Sequence, residues 1–267
     1  MNAFRTTWGT RVAALAVIGY AIYAASLLDF SWARFETGLD NGARFLARMF
    51  PPSFERWDVL LEGIVESLQI AALASALGIA ISLPLGVLGA RNLMPGWITW
   101  PVRGVVSLAR TLHPVIVAIL FVKAVGFGAL AGILALAVAS IGFIGKLFTE
   151  AIEEISMKQI EAVRATGASF MNVVAFGVLP QVLGRFVGFS TYQLDSNLRN
   201  STMVGIVGAG GIGGTLFSAF QRFDYDFVLA ILLTIIAIVM LGEVLARMVR
   251  AVFVDGRGIG FADGDGT

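Results

Sequence analysis

The sequence predicts an all-α protein that crosses a membrane about six times. Two observations predict this fold class: the composition of the chain and the spacing of its apolar runs. Of the 267 residues, 57% are hydrophobic and 14% are charged, whereas a soluble domain carries roughly 25% charged residues. The mean hydropathy is +0.84. Runs of about 20 mainly apolar residues, the length that crosses the hydrocarbon core of a bilayer, recur along the chain.

The apolar runs predict six spans in order along the chain. Four runs contain no charged residue: 12–28, 67–90, 124–145 and 227–242. Two more contain charges, about 101–122 with Arg103 and Arg110, and about 172–196 with Arg185 and Asp195. A seventh apolar run, 200–220, is dense in glycine. We expect a re-entrant or broken segment there, because irregular backbone at membrane depth needs surrounding protein.

The region before the second span is predicted to be an anchor and a surface loop. The first apolar run is followed by residues 29–32, which read D-F-S-W and do not form a small-x-small cleavage site, so the run is expected to remain as a span. The connection at about 29–58 carries Trp32 and Trp57 near its ends. We expect an interfacial, partly helical loop that ends near Pro51-Pro52.

Basic residues in the loops predict the orientation, because cytoplasmic loops carry an excess of Lys and Arg. With both termini in the cytoplasm, ten basic residues lie inside: Arg5, Arg11, Arg91, Arg103, Lys146, Lys158, Arg164, Arg247, Arg250 and Arg257. Five lie outside: Arg34, Arg44, Arg48, Arg56 and Arg222. In this orientation residues 150–167, a polar stretch between two predicted spans, face the cytoplasm.

The composition also argues against several classes of site. There is no Cys and a single His, His113, so neither a disulfide framework nor a multi-histidine metal site is expected. The net charge is +1 with no basic cluster, which argues against a nucleic-acid partner. No nucleophile–base set is evident, so we expect no catalytic residue, no metal and no cofactor in this chain. The motif G-x-x-x-x-G-K-[ST] does not occur, so no ATP-binding P-loop is expected.

A polar, helix-compatible stretch lies between two predicted spans. Residues 150–164 read E-A-I-E-E-I-S-M-K-Q-I-E-A-V-R, with aliphatic residues at spacings that fit one helical face. Glu154 and Lys158 are four apart, which predicts a favourable pair on such a helix. Gly167 then permits a turn, and Ser169 is placed to cap a second short helix. A charged helix–turn–helix between two spans suggests a surface on which a partner protein docks. The candidate docking residues are Glu154, Lys158, Glu161, Ala162, Arg164 and Gly167.

The glycine-rich run contains the motif G-x-G-x-x-G at residues 208–213. A dinucleotide site would need this motif between a strand and a helix of a βαβ unit, and no such pattern surrounds it. We therefore expect either close packing of helices, since small residues let backbones approach in lipid, or a mobile gate that lines a pathway. The candidate residues for both are Gly205, Gly208, Gly210, Gly211 and Gly213.

Charged residues inside or at the edge of predicted spans form the third group of candidates, because they are costly in lipid and usually face protein or water. Asp195 and Arg199 are four apart and are expected to pair. Lys123 and Arg185 fit snorkelling at helix ends. The functional interpretation is a path that tolerates an anion, and packing is the alternative, which is favoured for His113. The candidates for the anion path are Arg110, His113 and Arg199.

The polar stretch resembles the signature E-A-A-x3-G-x9-I-x-L-P of ABC-importer permeases, which marks the loop that receives the ATPase subunit. The matching positions are Glu161, Ala162, Gly167, Leu179 and Pro180. Val163 replaces the second Ala, and Gly177 replaces the Ile. Further resemblance to permeases of the phosphonate type lies within 66–92, 110–128, 141–153 and 197–213. The resemblance covers about residues 58–255.

The resemblance implies a function and partners, and composition predicts a disordered tail. The function is that of a permease subunit, in the bacterial inner membrane, of an ATP-driven importer for phosphonate or a related phosphorus oxyanion, phosphite or phosphate. The implied partners are a second permease as homo- or heterodimer, two ATPase subunits that bind ATP and Mg, and an extracytoplasmic substrate-binding protein. The expected regions are an N-terminal span and outer loop (1–57), a permease core (58–254) with its coupling loop (150–180), and a disordered cytoplasmic tail (255–267).

Two other functions stay open on the sequence alone. A permease for methionine or quaternary amines would share the Gly-Ala-Gly-Gly region. A self-contained channel or secondary transporter would use intramembrane charges for ion coupling. The absence of repeated halves and of paired intramembrane acids counts against this second alternative.

Overall fold

The computed structural model describes residues 8–27 and 31–253. These residues form α-helices and one π-helical segment, Val173–Val178, with no strand among them. The α-helices are α1 Trp8–Leu27, α2 Trp32–Met49, α3 Trp57–Gly89, α4 Gly96–Thr111, α5 Pro114–Val125, α6 Ala129–Glu153, α7 Met157–Ala165, α8 Phe170–Asn172, α9 Leu179–Ile206, α10 Ile212–Gln221 and α11 Tyr225–Phe253. The predicted all-α class is confirmed. The tail predicted at 255–267 lies outside the described residues.

The described chain divides into two compact units between Phe50 and Pro51. The boundary predicted between 57 and 58 falls a few residues later, where α3 begins.

In the first unit, α1 is long and apolar enough to cross a membrane. α2 forms the helical part of the connection predicted before the second span. Its apolar side chains occupy one half of the helix circumference and its charged side chains the other, which is the pattern of a helix at an interface.

The second unit contains the remaining spans. α3, α6, the helical run Phe170–Ile206 and the part of α11 at Tyr225–Leu245 are each long and apolar enough to cross a membrane. α4 and α5 pass the same test only as a pair, with a bend of 94° between them. Together with α1, the described residues therefore hold five single candidate spans, or six if the bent pair counts as one. This agrees with the predicted number.

The third span predicted at about 101–122 is not a continuous helix. α4 ends at Thr111 and α5 begins at Pro114. Proline lacks the backbone N–H that would donate the next helical hydrogen bond, and its ring clashes with the preceding turn of a helix. His113 is extended, with φ −68° and ψ 137°, and its Nδ1 accepts a hydrogen bond from the Val115 N–H at 3.4 Å. The local sequence thus ends one helix and starts the next in a new direction.

The core of the second unit lies where α3, α6 and α9 meet. One cluster of buried side chains includes Ile70, Leu136 and Val204, and another includes Ile152, Val178 and Val182. Small residues bring the helices together: a Cβ on Gly78 would collide with Ser140, and one on Gly86 with Phe148. Such close approach is the main source of packing energy between helices in lipid. Lipid is already apolar, so an apolar side chain gains no hydrophobic free energy when it moves from lipid to a helix interface.

α10 accounts for the broken segment predicted at 200–220. Residues up to Ile206 continue α9, and α10 has ten residues, about 15 Å of helix, too short to cross a bilayer. It begins beside Ser67, about a third of the way along α3, because the Ile212 N–H donates to Ser67 Oγ at 2.9 Å. Its other end lies beside Arg56 at the start of α3, where Arg222 lines the same cavity.

Candidate functional site

α7 is a separate short helix at the end of α6. Its Ile160 is fully buried in the cluster that also contains Phe148 and Ile152. The candidate docking residues on this helix are all exposed: Lys158, Glu161, Ala162 and Arg164. Ile160 and the partly buried Met157 and Val163 hold α7 against the spans, and its polar face stays accessible to a partner.

The pair predicted between Glu154 and Lys158 is not formed. α6 ends one residue before Glu154, so the two residues lie on different elements and the helical spacing no longer applies. Glu154 Oε2 instead pairs with Arg185 Nη1 of α9 at 2.5 Å, so Arg185 has a protein partner. Beside it, the Ser156 N–H donates to the side-chain oxygen of Gln181 at 3.2 Å. α9 thus holds the link between α6 and α7 through two polar contacts.

The turn after α7 lies at Gly167. Its φ of +76° is in the left-handed region, which costs a residue with a Cβ roughly 1–2 kcal/mol. A Cβ there would meet nothing within 4 Å, so glycine is required for backbone conformation and not for space. Ser169 occupies the N-cap position of α8, but its side chain makes no capping hydrogen bond. The cap predicted at Ser169 is therefore wrong; α8 is only three residues long and continues into the π-helical segment.

A second polar contact beside α7 joins α6 to the end of α3 and to the middle of α4. Glu153 Oε1 accepts from Arg103 Nη2 at 2.5 Å and from the Arg91 N–H at 2.9 Å. Arg103 Nε also donates to the carbonyl of Gly89 at 2.8 Å. Sequence analysis missed this contact, because the partners of Glu153 are 50 and 62 residues away along the chain and no local spacing relates them.

The glycine-rich run forms a tight turn between α9 and α10. Three of its residues have a positive φ: Gly208 at +91°, Gly210 at +80° and Gly211 at +75°. The carbonyl of Gly208 accepts from the Gly128 N–H at 3.0 Å, which attaches the turn to the connection between α5 and α6. No strand precedes it in the described residues, so the dinucleotide interpretation lacks its βαβ unit.

Side chains at these glycines would strike their neighbours. A Cβ on Gly210 would lie 2.6 Å from Glu66 Oε1 and 2.9 Å from the Ala129 nitrogen. Gly205 and Gly213 lie where α9 and α10 cross, and a Cβ on either would collide with the facing backbone. The run is therefore closely packed against its surroundings in this conformation.

A fully buried polar cluster links α3, α6 and α9. Asn197 Nδ2 donates to Ser75 Oγ at 2.9 Å and to Ser140 Oγ at 2.8 Å. Gln193 Nε2 donates to Ser140 Oγ and to Asn197 Oδ1, both at 3.0 Å. Sequence analysis missed this cluster, although two amide side chains four residues apart in a span were a signal: both fall on one face, and a buried amide needs partners.

Two of the three candidates for an anion path, Arg110 and His113, lie on either side of the break between α4 and α5, and the third, Arg199, lies on α9. Arg110 is exposed in the last turn of α4, next to the break before α5. His113 caps α5, and its side chain is exposed. Arg199 is exposed on α9 and pairs with Asp195 at 2.9 Å, as predicted. No hydrogen bond or ion pair within the described residues joins any two of the three.

The chain is similar to inner-membrane components of transport systems. A family described as "Binding-protein-dependent transport system inner membrane component" matches residues 82–254. The chain is 38% identical over 237 residues to a phosphate-import permease protein, PhnE, of Mycolicibacterium smegmatis, and it spans 44% of that relative's length. It is 34% identical to a phosphite transport system permease protein, PtxC, of Stutzerimonas stutzeri, with 95% of this chain and 93% of the relative covered.

A solved structure shares the fold. A chain of the MetNI methionine ABC transporter, in an inward-facing conformation, aligns with a TM-score of 0.65 and 29% identity. The alignment covers 75% of the present chain and 99% of that one.

Proposed function

Because the chain belongs to the family of inner-membrane components of binding-protein-dependent transport systems, we propose that it is the translocation subunit of an ATP-driven importer for phosphonate, phosphite or phosphate. The observation that carries the choice of cargo is similarity along 95% of the chain to a phosphite transport permease. Similarity to a phosphate-import permease supports the same class of cargo. The chain acts as a conduit, and ATP hydrolysis belongs to a partner.

The assembly that we propose contains two permease chains, two ATPase subunits with ATP and Mg, and a substrate-binding protein on the outer side. Both termini of the chain lie in the cytoplasm, together with α7. The exposed residues of α7 and the turn at Gly167 dock into the ATPase. Closure of the ATPase pulls α7, and the contacts from Glu154 and Ser156 to α9 carry the movement into the spans. Access to the central pathway then alternates between the two sides.

Two further roles within the pathway belong to this proposal. The glycine turn at 208–213 acts as a gate, because its tight contacts with the α5–α6 connection must rearrange if that region opens. Arg110 lowers the electrostatic barrier to an anion: its guanidinium stays charged, and no ion pair neutralises it among the described residues. Arg110→Gln is then expected to slow uptake without changing the affinity of the separate binding protein for cargo.

A methionine permease is the second candidate, since the MetNI chain shares the fold at 29% identity. That similarity covers 75% of the chain, less than the phosphite relative covers. Family membership favours either importer over a self-contained channel or secondary transporter.

The experiment that separates the candidates is uptake by proteoliposomes that contain the permease, its ATPase and its binding protein. We expect ATP-dependent accumulation of phosphite, phosphate or a phosphonate, and none of methionine. Vesicles without ATP are the control. Methionine uptake with no oxyanion uptake would establish the second candidate, and cargo movement without ATP or partners would support a channel.

A further inference from the structure

A cavity of about 300 Å³ opens between the first turn of α3, one face of α10 and the start of α11. Its polar lining groups are Arg56, Thr215, Ser218 and Arg222, and Val59, Ala219 and Phe227 form the apolar part of its wall. Two cations and two hydroxyl groups converge here, and none of the lining residues carries a carboxylate. This arginine–hydroxyl cavity is separate from α7, from the glycine turn and from Arg110.

Three of the four polar groups come from one face of α10. Thr215, Ser218 and Arg222 recur at i, i+3 and i+7, which is the spacing of one helical face. No side-chain hydrogen bond or ion pair to another described residue occupies the hydroxyl of Thr215, the hydroxyl of Ser218 or the guanidinium of Arg222. Their donors are therefore available to a ligand.

Arg56 is held in place for such a ligand. One guanidinium nitrogen donates to Asp224 Oδ2 at 3.0 Å, and the guanidinium carbon lies 3.8 Å from the centre of the Phe227 ring. A guanidinium has five N–H donors, so the ion pair leaves most of them unused. Asp224 offsets one of the two positive charges, and Arg222 supplies a net positive charge beside the hydroxyl groups.

The cavity lies at the end of the molecule where a cargo is expected to arrive. The distribution of basic residues predicts that Arg56 and Arg222 both lie on the outer side of the membrane. In the proposed importer, this is the side on which the binding protein releases its cargo. Delivery of cargo to the cavity on the outer side therefore rests on the proposed function.

We propose that the arginine–hydroxyl cavity binds a tetrahedral phosphorus oxyanion. Guanidinium groups make charge-assisted, forked hydrogen bonds to such oxygens, and the two hydroxyls add neutral donors. The bound oxyanion has two sources: cargo in transit, or the phosphate of a lipid headgroup. The site is open and one of its arginines is shared with Asp224, so it binds weakly enough to release its ligand, as conduction requires.

Binding is measured on the full-length chain in a detergent without phosphorus. The line width of inorganic phosphate and of phosphite in ³¹P NMR reports exchange with the site. Arg222→Gln removes the unpaired guanidinium, and we expect roughly tenfold weaker binding, the lower range for a charge-assisted bond. Arg48→Gln is the matched control, because it removes another predicted outer arginine that does not line the cavity. Thr215→Val keeps both arginines and tests the hydroxyl contribution if Arg222→Gln folds poorly.

The second arm of the experiment counts phospholipids that remain on the purified chain, by native mass spectrometry. Phosphate broadening that is lost in Arg222→Gln and kept in Arg48→Gln identifies free oxyanion as the ligand. A phospholipid that is retained by the native chain and lost from Arg222→Gln identifies a headgroup as the ligand. Equal behaviour of Arg222→Gln, Thr215→Val and the native chain in both arms would overturn the proposal. Methionine uptake in the transport assay would refute the proposed cargo and leave this binding result unaffected.

Discussion

At the scale of single residues, two glycines are required for different physical reasons. Gly167 has a φ of +76° and an open surrounding, so only its backbone conformation excludes other residues. Gly210 combines a φ of +80° with neighbours closer than a Cβ tolerates. Gly167 lies in the coupling loop (150–180), for which we propose ATPase docking, and Gly210 lies in the glycine turn, so substitutions at the two positions should have different consequences.

Gly167→Leu should uncouple ATP hydrolysis from transport while membrane insertion stays intact. The expected strain, roughly 1–2 kcal/mol, is confined to an exposed turn, and the new side chain projects into the surface that we assign to the ATPase. The measurement is cargo-stimulated ATP hydrolysis and uptake by the reconstituted complex. Gly184→Leu is the control, because a Cβ there also meets nothing within 4 Å and its φ is not in the left-handed region. Native hydrolysis and uptake in Gly167→Leu would remove the docking argument.

Gly210→Ala should reduce both uptake and thermal stability. The added methyl group would lie 2.9 Å from the backbone nitrogen of Ala129, which cannot move aside as the Glu66 carboxylate at 2.6 Å can, and the left-handed backbone adds strain. Gly214→Ala is the matched control, since the nearest atom to its Cβ is 3.7 Å away, an ordinary contact. Thermal unfolding and initial uptake rates of the two variants are compared. If both variants behave alike, the close packing of the turn has no bearing on transport.

At the scale of elements, buried amide and hydroxyl groups connect helices that are distant in sequence. Ser75 on α3 and Asn197 on α9 are 122 residues apart, and both are almost fully buried. The alternative to this bond is an unsatisfied polar group in an apolar surrounding, which is costly. Polar links of this kind add to the close packing of small residues in specifying the register of α3 against α9.

A double-mutant cycle with Ser75→Ala and Asn197→Ala should show a favourable coupling of about 0.6 kcal/mol, with about 1.7 kcal/mol as the upper range for bonds between membrane helices. The free energy of unfolding in mixed detergent with SDS is the measurement. Ser196 and Asn200 form the comparison pair, because they bond at 3.3 Å within α9 and do not join two helices. A coupling between Ser75 and Asn197 near zero would show that the cluster does not hold α3 to α9.

α2 should lie in the membrane interface with its apolar half in lipid. Trp32, Leu39 and Leu46 on that half are 70%, 61% and 58% exposed. The chain has no Cys, so single cysteines can carry a nitroxide label without background. We expect nitroxide labels at Leu39→Cys and Leu46→Cys to be accessible to oxygen, which concentrates in lipid. A label at Thr37→Cys, on the polar half, should be accessible to a water-soluble nickel chelate.

Two other results would contradict this placement of α2. Equal accessibility of both halves to the nickel chelate would place the helix in water. Low accessibility of the apolar half to both reagents would indicate a protein partner on that half.

At the scale of the whole molecule, the orientation decides which partner each surface can meet. The ATPase docking that we propose for the coupling loop needs the cytoplasmic side, and the cargo binding that we propose for the arginine–hydroxyl cavity needs the outer side. Ala162 on α7 and Gln221 at the end of α10 are both exposed. Their cysteine variants therefore report the two faces directly.

In spheroplasts, a membrane-impermeant maleimide should label Gln221→Cys at once and Ala162→Cys only after permeabilisation. The physical basis is the excess of Lys and Arg in loops on the cytoplasmic side. Native-like uptake by both variants is the control for correct assembly. The reverse labelling pattern would invert the chain and remove both the docking role of α7 and the cargo route through the cavity.

Features that depend on local composition and spacing follow from the amino-acid sequence alone. Apolar runs predicted the number of spans because lipid demands about 20 apolar residues for each crossing. The spacing of Asp195 and Arg199 predicted their pair, since both lie within one helix. Pro114 also marked the break between α4 and α5, but the apolar run around it was interpreted as one span.

Contacts between groups that are distant along the chain are visible only in the folded molecule. Glu154 pairs with Arg185 and not with Lys158, because α6 ends before the predicted helical spacing can apply. Arg56 meets Asp224 across 168 residues, and Asn197 meets Ser75 across 122. These contacts depend on how the helices pack against one another, through small residues that let backbones approach. Neither hydropathy nor periodicity carries that information, since both describe a residue only relative to its neighbours in the chain.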